Sequence, residues 1–414
     1  MKIGFVGLGK LGLPCAVAID KKGHDVMGFD LDPSRMQKHT INYRETAADG
    51  KSPFEPLLKK SNLKFGTLDE VVKHSEIIFV AIQTPHEEKY EGTTRVPVDR
   101  VDFNYQHLVS GISAVAQSIE KLGKDRVVVI ISTVLPGTIK REILPLLNKH
   151  VKLCYNPFFI AMGTTMRDFL NPEFVLFGVI DAKAAKLAEK FYRSLHKRPF
   201  YQTTVENAEL IKVAYNTFIG MKIVFVNTLM EICHKIGGTM DVDAVTDAIK
   251  MANERLISPK YLTAGMGDGG GCHPRDNIAM SWLAKKLDLS YDFFDSLMTA
   301  REEQTEWLAE LMLEHDLPKV ILGKAFKPDT NIVTGSPSIL LKNLLEEKGK
   351  KVSMYDPYVD GKQPQWQKSV FFIGTMHPQF TKIKFPSGSV VIDPWRFIPK
   401  KKNISVIYVG APQK

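Results

Sequence analysis

Cysteine is scarce in this chain: four residues in 414, at positions 15, 154, 233 and 272, with no C-x-x-C pair among them. That spacing excludes a thiolate zinc site and a disulfide framework, so no metal is expected and a reducing, cytoplasmic setting fits. Long hydrophobic runs are also missing. No window of roughly 18 residues is free of charged or strongly polar groups, so no transmembrane helix and no membrane partner are expected. The most apolar stretch, "TFIGMKIVFVNTLMEIC", carries Lys222, Asn227 and Glu231 and reads as a buried helix. The strand-like opening "KIGFVG" has no signal-peptide character. Low-complexity segments and short repeats are absent. The net charge is +9, yet apart from Lys400–Lys402 the basic residues are scattered. Without a basic stripe interleaved with aromatics, no nucleic-acid partner is expected. A dispersed surplus of Lys and Arg suits small anionic ligands such as nucleotides.

What is present is the balance of a soluble globular protein, 44% hydrophobic and 24% charged. The length calls for two or three domains. "KIGFVG" is a strand-length apolar run, "LGKLGLPCAVAIDKKG" has helical spacing and stops at Gly23, and "HDVMGFD" is a second strand. "EIIFVAIQTP" and "VVVIISTVLP" continue the series, and such alternation implies a parallel sheet covered on both faces. From about Asn207 to Lys235 the chain is proline-free with helical spacing, and helices continue to about Leu313. "KVILGKAF", "KKVSMYDP", "GSVVIDPW" and "ISVIYVG" then restore the α/β alternation. The predicted fold is α/β: two Rossmann-like doubly wound domains, 1–199 and 304–414, joined by a helical domain, 200–303, built on one long helix.

"GFVGLGKLG" places Gly7, Gly9 and Gly12 in G-x-G-x-x-G spacing between a strand and a helix. The first glycine makes the tight turn, the second lets backbone approach a pyrophosphate, and the third lets helix and strand pack closely. Asp30 ends the next strand, 18 residues after Gly12. A carboxylate there accepts from both ribose hydroxyls and repels a 2′-phosphate, which favours NAD over NADP.

A second glycine-rich stretch, "GDGGGCHPRDN", runs from Gly267 to Asn277. Its glycines open backbone angles closed to other residues, and a cysteine directly after them can be presented to a reacting carbonyl. A helix starting near Pro274 would set Cys272 by its positive end, which suits an anionic sulfur. Asp276 is within reach for acid–base work. From these residues alone, a reactive thiol and a buried structural cysteine are equally open. Lys212 and Asn216 share a helix face at i and i+4. Among mostly apolar neighbours, Lys212 is either a snorkelling surface lysine or a partly buried donor to an oxyanion.

In this order, "GLGKLGLP", "FDLDPSR", "IQTP", "STVLPGT", "FLNPEFVLFG", "AELIKVAYNTFIGMKIVFVNTL", "GGGCHPRD", "LGKAFKPDT" and "YDPYVD" resemble the UDP-glucose/GDP-mannose dehydrogenase family over essentially the whole chain. The resemblance implies NAD-dependent, two-step oxidation of the C6 alcohol of a nucleotide-linked hexose to a carboxylate. It implies that Cys272 captures the intermediate aldehyde and that Lys212 stabilises alkoxide and oxyanion. Asn216 and Asp276 would position water and move protons, and Thr133 would sit by the nicotinamide. Arg35, Thr84 and Pro85 join Gly7, Gly9, Gly12, Asp30 and Thr133 at the cofactor. For the nucleotide sugar it implies Arg255, Tyr261, Phe326, Lys327 and Arg396, with backbone donors from the Gly269–Gly270 loop. Pairing of two subunits through the long helix is implied, hence a homodimer or larger homo-oligomer.

Some positions depart from the family pattern. "NPFFIAMG" has Phe158 and Met162 where glutamates are expected, which removes acceptors for sugar hydroxyls and makes that wall apolar. Thr334 replaces an arginine that contacts the cofactor, and Arg275 stands where lysine is common. His273 reads as a loop residue. The expected activity is oxidation of a UDP-hexose, UDP-glucose first, to the UDP-hexuronate, serving polysaccharide synthesis. The alternatives are a UDP-N-acetylhexosamine 6-dehydrogenase and a non-catalytic nucleotide-sugar or NAD sensor.

Overall fold

The computed structural model describes residues 1–37, 41–95, 97–253, 263–286 and 292–411. The chain folds into two compact units. The first comprises Met1–Pro85 and Phe103–Ala214; the second comprises His86–Asp102 and Tyr215–Lys414.

The first unit is built on β1 (Lys2–Val6), β2 (Asp25–Phe29), β3 (Lys64–Phe65), β4 (Ile77–Val80), β5 (Arg126–Ile130), β6 (Val151–Tyr155), β7 (Val175–Val179) and β8 (Phe200–Thr203). They form one sheet in the order β3-β2-β1-β4-β5-β6-β7-β8. Pairing is parallel except between β6 and β7. All four residues of β4 and the last four of β1 are buried, as expected where helices cover both faces of a parallel sheet. The core is rich in aromatic rings: Phe79 stacks on Phe5 at 5.2 Å and meets Phe191 at 5.4 Å. Sequence order reverses between β1 and β4, and ligands of doubly wound sheets bind at the carboxyl ends of strands beside such a switch.

The second unit carries β9 (Lys319–Leu322), β10 (Val352–Tyr355), β11 (Val370–Ile373), β12 (Val390–Asp393) and β13 (Ser405–Tyr408). This sheet is parallel throughout, in the order β10-β9-β11-β12-β13. The helical middle contributes Val242–Met251, Cys272–Lys286 and Phe293–Leu313 to the same unit.

The long helix runs from Val205 to Ile236, and the boundary between units falls within it, after Ala214. By length and composition it is apolar enough to cross a membrane, which its interrupting polar residues had argued against. It carries Glu209, Lys212, Asn216 and Asn227 as buried polar residues. Asn227 donates to the Gly267 carbonyl (2.6 Å) and accepts from Gly265 N (2.9 Å), so protein covers that face.

Candidate active site

In the first unit, Gly7 follows β1 with φ +96°, and a Cβ there would lie 2.5 Å from the Ala81 carbonyl oxygen. A Cβ at Gly12 would lie 1.9 Å from the Gly7 oxygen. Both positions therefore require glycine for packing. Gly9 differs: the nearest atom a Cβ would meet is Arg35 Nη1, at 3.8 Å. Beside this open position the helix Gly12–Lys21 begins without a side-chain cap and without an acidic residue in its first turn. Leu13 N and Cys15 N are taken by the Gly9 and Leu11 carbonyls (3.1 and 3.4 Å) and Pro14 has no N–H, so what this end offers an anion is mainly the positive pole of the helix.

Asp30 lies at the end of β2, buried, and accepts from Leu8 N (2.7 Å) and Asp32 N (2.9 Å). Arg35 Nη1 is 3.6 Å from its Oδ2. A carboxylate has about four lone-pair sites, so Asp30 is fixed while keeping acceptor capacity for ribose hydroxyls. Thr84, beyond β4, donates to the Thr133 carbonyl (2.7 Å), and Ser132 Oγ donates to the Ile82 carbonyl (2.5 Å). The loops after β4 and β5 are thus tied together with Thr133 between them. An open glycine, a bare helix start and a fixed carboxylate fit a dinucleotide.

Lys212 is also in this unit. It is buried, with Nζ 5.4 Å from the centre of the Phe159 ring, so the snorkelling alternative is set aside. Phe158 packs on the core, 5.4 Å from Phe169 and 6.5 Å from Phe79, and Phe159 meets Phe174 at 4.9 Å. The ring that replaces the first expected glutamate rests against the core and stays half-buried.

In the second unit, Cys272 is exposed and is the first residue of its helix, two residues ahead of the start expected at Pro274. Asp276, one turn on, is fully buried and accepts from Asn216 Nδ2 (2.5 Å) and from Arg275 Nε (3.0 Å). Burial alone would weaken the Arg275 guanidinium as a base, but Asp276 and Cys272 beside it raise its pKa above the usual value. A charged, hydrogen-bonded group thus adjoins an accessible thiol.

The glycines ahead of the thiol are consumed by packing within this unit. A Cβ at Gly267 would lie 2.0 Å from Pro337, at Gly269 2.8 Å from the His273 ring, and at Gly270 2.5 Å from the Phe326 ring. The loop is pressed against its own protein on the side where those Cβ atoms would lie. Thr334 lines it, 3.3 Å from where a Gly271 Cβ would be. Lys327 Nζ lies 5.4 Å from the Phe326 ring centre, so Gly270, Phe326 and Lys327 form one cluster. His273 is not a loop residue: it is buried in the first helical turn with Nδ1 against the Asp268 carbonyl.

Arg396 departs from its expected place as well. Its side chain is 4% exposed and its Nε and Nη2 reach the Asp243 carboxylate at 2.7 and 3.0 Å. Its remaining N–H groups go to the carbonyls of Ala264, Val409 and Pro394. A guanidinium so engaged braces the turn after β12 and has no donor left for a phosphate. Arg255 and Tyr261 lie outside the described residues.

Four residues in these surroundings carry no role in the sequence analysis. Glu209, in the "AELIK" run, is buried and accepts from Gly137 N (2.6 Å) and Ile139 N (2.8 Å). His86 is pushed down to about 4, first by burial and then by the Arg275 charge, so it is neutral near Asp276 at neutral pH. Arg301 and Asp268 form a buried pair at 3.0 Å under the glycine loop. Only Glu209 had a signal, its place three residues ahead of Lys212. Among the described residues, no group of His, Cys, Asp and Glu could hold a metal ion.

Three family models match along the chain: the NAD binding domain of the UDP-glucose/GDP-mannose dehydrogenase family at residues 1–196, its central domain at 206–303 and its UDP binding domain at 320–400. The chain belongs to the UDP-glucose/GDP-mannose dehydrogenase family. A GDP-mannose 6-dehydrogenase of Pseudomonas aeruginosa is 29% identical over 379 residues, covering 87% of this chain and 82% of that protein. A UDP-glucose 6-dehydrogenase of Bacillus subtilis is 28% identical over 380 residues, covering 86% and 80%. A solved UDP-glucose dehydrogenase from Pyrobaculum islandicum superposes with a TM-score of 0.82 at 25% identity, covering 100% of this chain and 98% of that one. As a family member the chain is an NAD-dependent nucleotide-sugar 6-dehydrogenase. Gly7, Gly9, Gly12, Asp30, Arg35, Thr84, Pro85 and Thr133 fall within the NAD binding match, and Phe326 and Lys327 within the UDP binding match.

Proposed function

We propose that this chain oxidises the C6 hydroxyl of a UDP-hexose, UDP-glucose before others, to the UDP-hexuronate. Four electrons leave the sugar as two hydrides and the C6 hydroxyl gives its proton to solvent; two molecules of NAD, each when bound, would supply the hydride acceptors in turn. Lys212 stabilises the alkoxide of the first oxidation and the oxyanions that follow. Cys272 adds through sulfur to the C6 aldehyde carbon, forming a thiohemiacetal whose oxygen takes up a proton. This addition restores a tetrahedral C–H carbon, from which the second hydride departs while the hydroxyl releases its proton to solvent, leaving a thioester. Asn216 and Asp276 orient a water and take its proton; the C–S bond breaks, the carboxylate leaves and the thiol is regained. Thr133 serves the nicotinamide side of the reacting carbon. In this division of labour 1–199 holds NAD, 200–303 carries the chemistry and 304–414 holds the nucleotide sugar.

The observation that carries this proposal is the exposed thiol at the first residue of its helix, one turn before an Asp276 held by Asn216 and Arg275. The test counts NADH formed per sugar across a panel of UDP- and GDP-sugars. Two per UDP-glucose supports it; one, or none with any sugar, overturns it.

A second candidate, a UDP-N-acetylhexosamine, is favoured by the aromatic wall at Phe158 and Phe159, which offers contact to an acetyl methyl rather than acceptors to hydroxyls. Preference for an acetylated sugar on the same panel would replace glucose with it. We place the enzyme in the cytoplasm, in polysaccharide precursor synthesis, as a homodimer. Pairing is supported by Leu210, Ala214, Phe218 and Phe225, which leave the long helix with an exposed apolar stripe.

A further inference from the structure

The loop after β5 carries Thr133 and continues through Gly137 into a π-helical turn at Ile139–Ile143. Its start is fastened to the neighbouring strand loops through Ser132 and Thr84. Tyr155 donates to the Ser132 carbonyl (3.1 Å), and the Tyr105 hydroxyl meets Leu135 N and Thr138 Oγ1, both at 3.2 Å. The far end is fastened differently. Both carboxylate oxygens of Glu209 accept backbone N–H groups, Oε2 from Gly137 at 2.6 Å and Oε1 from Ile139 at 2.8 Å. Glu209 projects from the long helix three residues ahead of Lys212, on the same face.

We propose that Glu209 is a positioning residue for the oxidation: it fixes the Thr133 loop against the helical turn that presents Lys212. The inference rests on the roles given above to Thr133 and Lys212. Glu209 touches neither and is not a catalytic residue. Two short bonds to successive turns of one loop leave that loop a single register against the helix. Well-aligned reacting groups lose rate steeply when displaced, on the order of 100-fold for about 1 Å.

The arrangement is sensitive to protonation. A neutral carboxyl turns one accepting oxygen into a donor that would face an N–H, so one clamp bond is lost. Glu209 is pushed up to about 7, first by burial, against the two N–H bonds that lower it; Glu206 raises it and Arg141 lowers it. Lys140 faces Glu206 as an ion pair, Arg141 pairs with Glu142 at 2.6 Å, and Tyr105 reaches the loop from the residue ahead of the helix Gln106–Leu122. Because the folded value exceeds the ordinary 4.5, folding favours the proton, and stability falls as pH rises from about 5 through 7. The clamp, however, is complete only above 7. Stability and activity should therefore respond to Glu209 in opposite senses.

The variants are Glu209→Gln and Glu209→Asp. For Glu209→Gln at pH 8, kcat should drop about 10- to 100-fold, with KM for NAD unchanged and melting temperature not lowered. The rise of kcat through pH 7 should flatten. Hydrogen exchange of the ligand-free enzyme should show faster exchange of the Gly137 and Ile139 amides in the variant. In the wild type the same protection should fall between pH 8 and pH 6, after correction for intrinsic rates. Glu209→Asp should recover part of kcat. Unchanged exchange at those amides overturns the proposal whichever sugar is turned over, and a parallel loss of kcat and melting temperature reduces Glu209 to a structural residue. If no sugar is oxidised, exchange still decides, separately from the fate of the proposed function. If Glu209→Gln does not fold, the wild-type pH dependence of exchange decides alone.

Discussion

Two glycine-rich loops in this molecule each lead into a helix, and their glycines are needed for different reasons. At Gly7–Gly12 the outer glycines serve backbone packing, while Gly9 faces open space before an uncapped helix. At Gly267–Gly271 the places of the missing Cβ atoms are taken by Pro337, His273 and Phe326. The first loop leaves room for a ligand's phosphates. The second is pressed into its own unit, which fixes the backbone from which Cys272 emerges into solvent. Openness at one loop and rigidity at the other suit the roles proposed for them, a cofactor that comes and goes and a nucleophile that must stay in register.

The largest expected effect isolates the thiol from its platform. Cys272→Ser should lower acid formation by about 1,000-fold or more, since the weaker nucleophile must form the covalent intermediate. Because the side chain is exposed, the unfolding free energy should stay within the range of surface changes, about ±0.5 kcal/mol. Product formation at the wild-type rate would break the assignment.

Next in size is the platform. Gly270 has φ +110°, a region nearly closed to other residues, so Gly270→Ala should cost about 1–3 kcal/mol in urea unfolding from strain, with the Phe326 clash added. Pairing it with Phe326→Leu should recover part of the loss by relieving the clash. A double mutant as unstable as the sum of the singles would show that Phe326 is not what the glycine accommodates.

Gly9→Ala sharpens the contrast. Its Cβ meets no atom closer than 3.8 Å, so stability should change by less than about 0.5 kcal/mol. NAD affinity by titration calorimetry should fall by about 10-fold, as the methyl enters the space reserved for phosphate. Equal stability losses at Gly9 and Gly270 would erase the distinction between the loops. Smallest is Asp30→Asn: the ratio of NADP to NAD turnover should rise by roughly 10-fold as the negative charge that repels a 2′-phosphate is removed. An unchanged ratio would assign Asp30 to holding Leu8 and Asp32 alone.

Much of this was legible along the chain. β1, β2, β4, β5, β9, β10, β12 and β13 follow from apolar runs bounded by turn residues, and the long helix from proline-free apolar spacing. β3, two residues long, and β8, with its exposed or half-buried "FYQT", have no such signature. Gly7, Gly9, Gly12 and Asp30 could be placed because a strand, a turn and a helix are contiguous in sequence. Arg396 could not, because its partner Asp243 lies 153 residues away, and a lone arginine looks alike whether it awaits a phosphate or braces a turn.

By itself the sequence determined the two α/β regions, the glycine spacing, NAD as the cofactor and the family, all carried by contiguous patterns of polarity and backbone freedom. Only the tertiary structure decided that Cys272 is exposed while Asp276 is buried, that Phe158 rests half-buried against the core, and that Glu209 accepts from Gly137 N and Ile139 N. These depend on burial and on contacts between residues far apart in the chain, and neither is a property of a local segment.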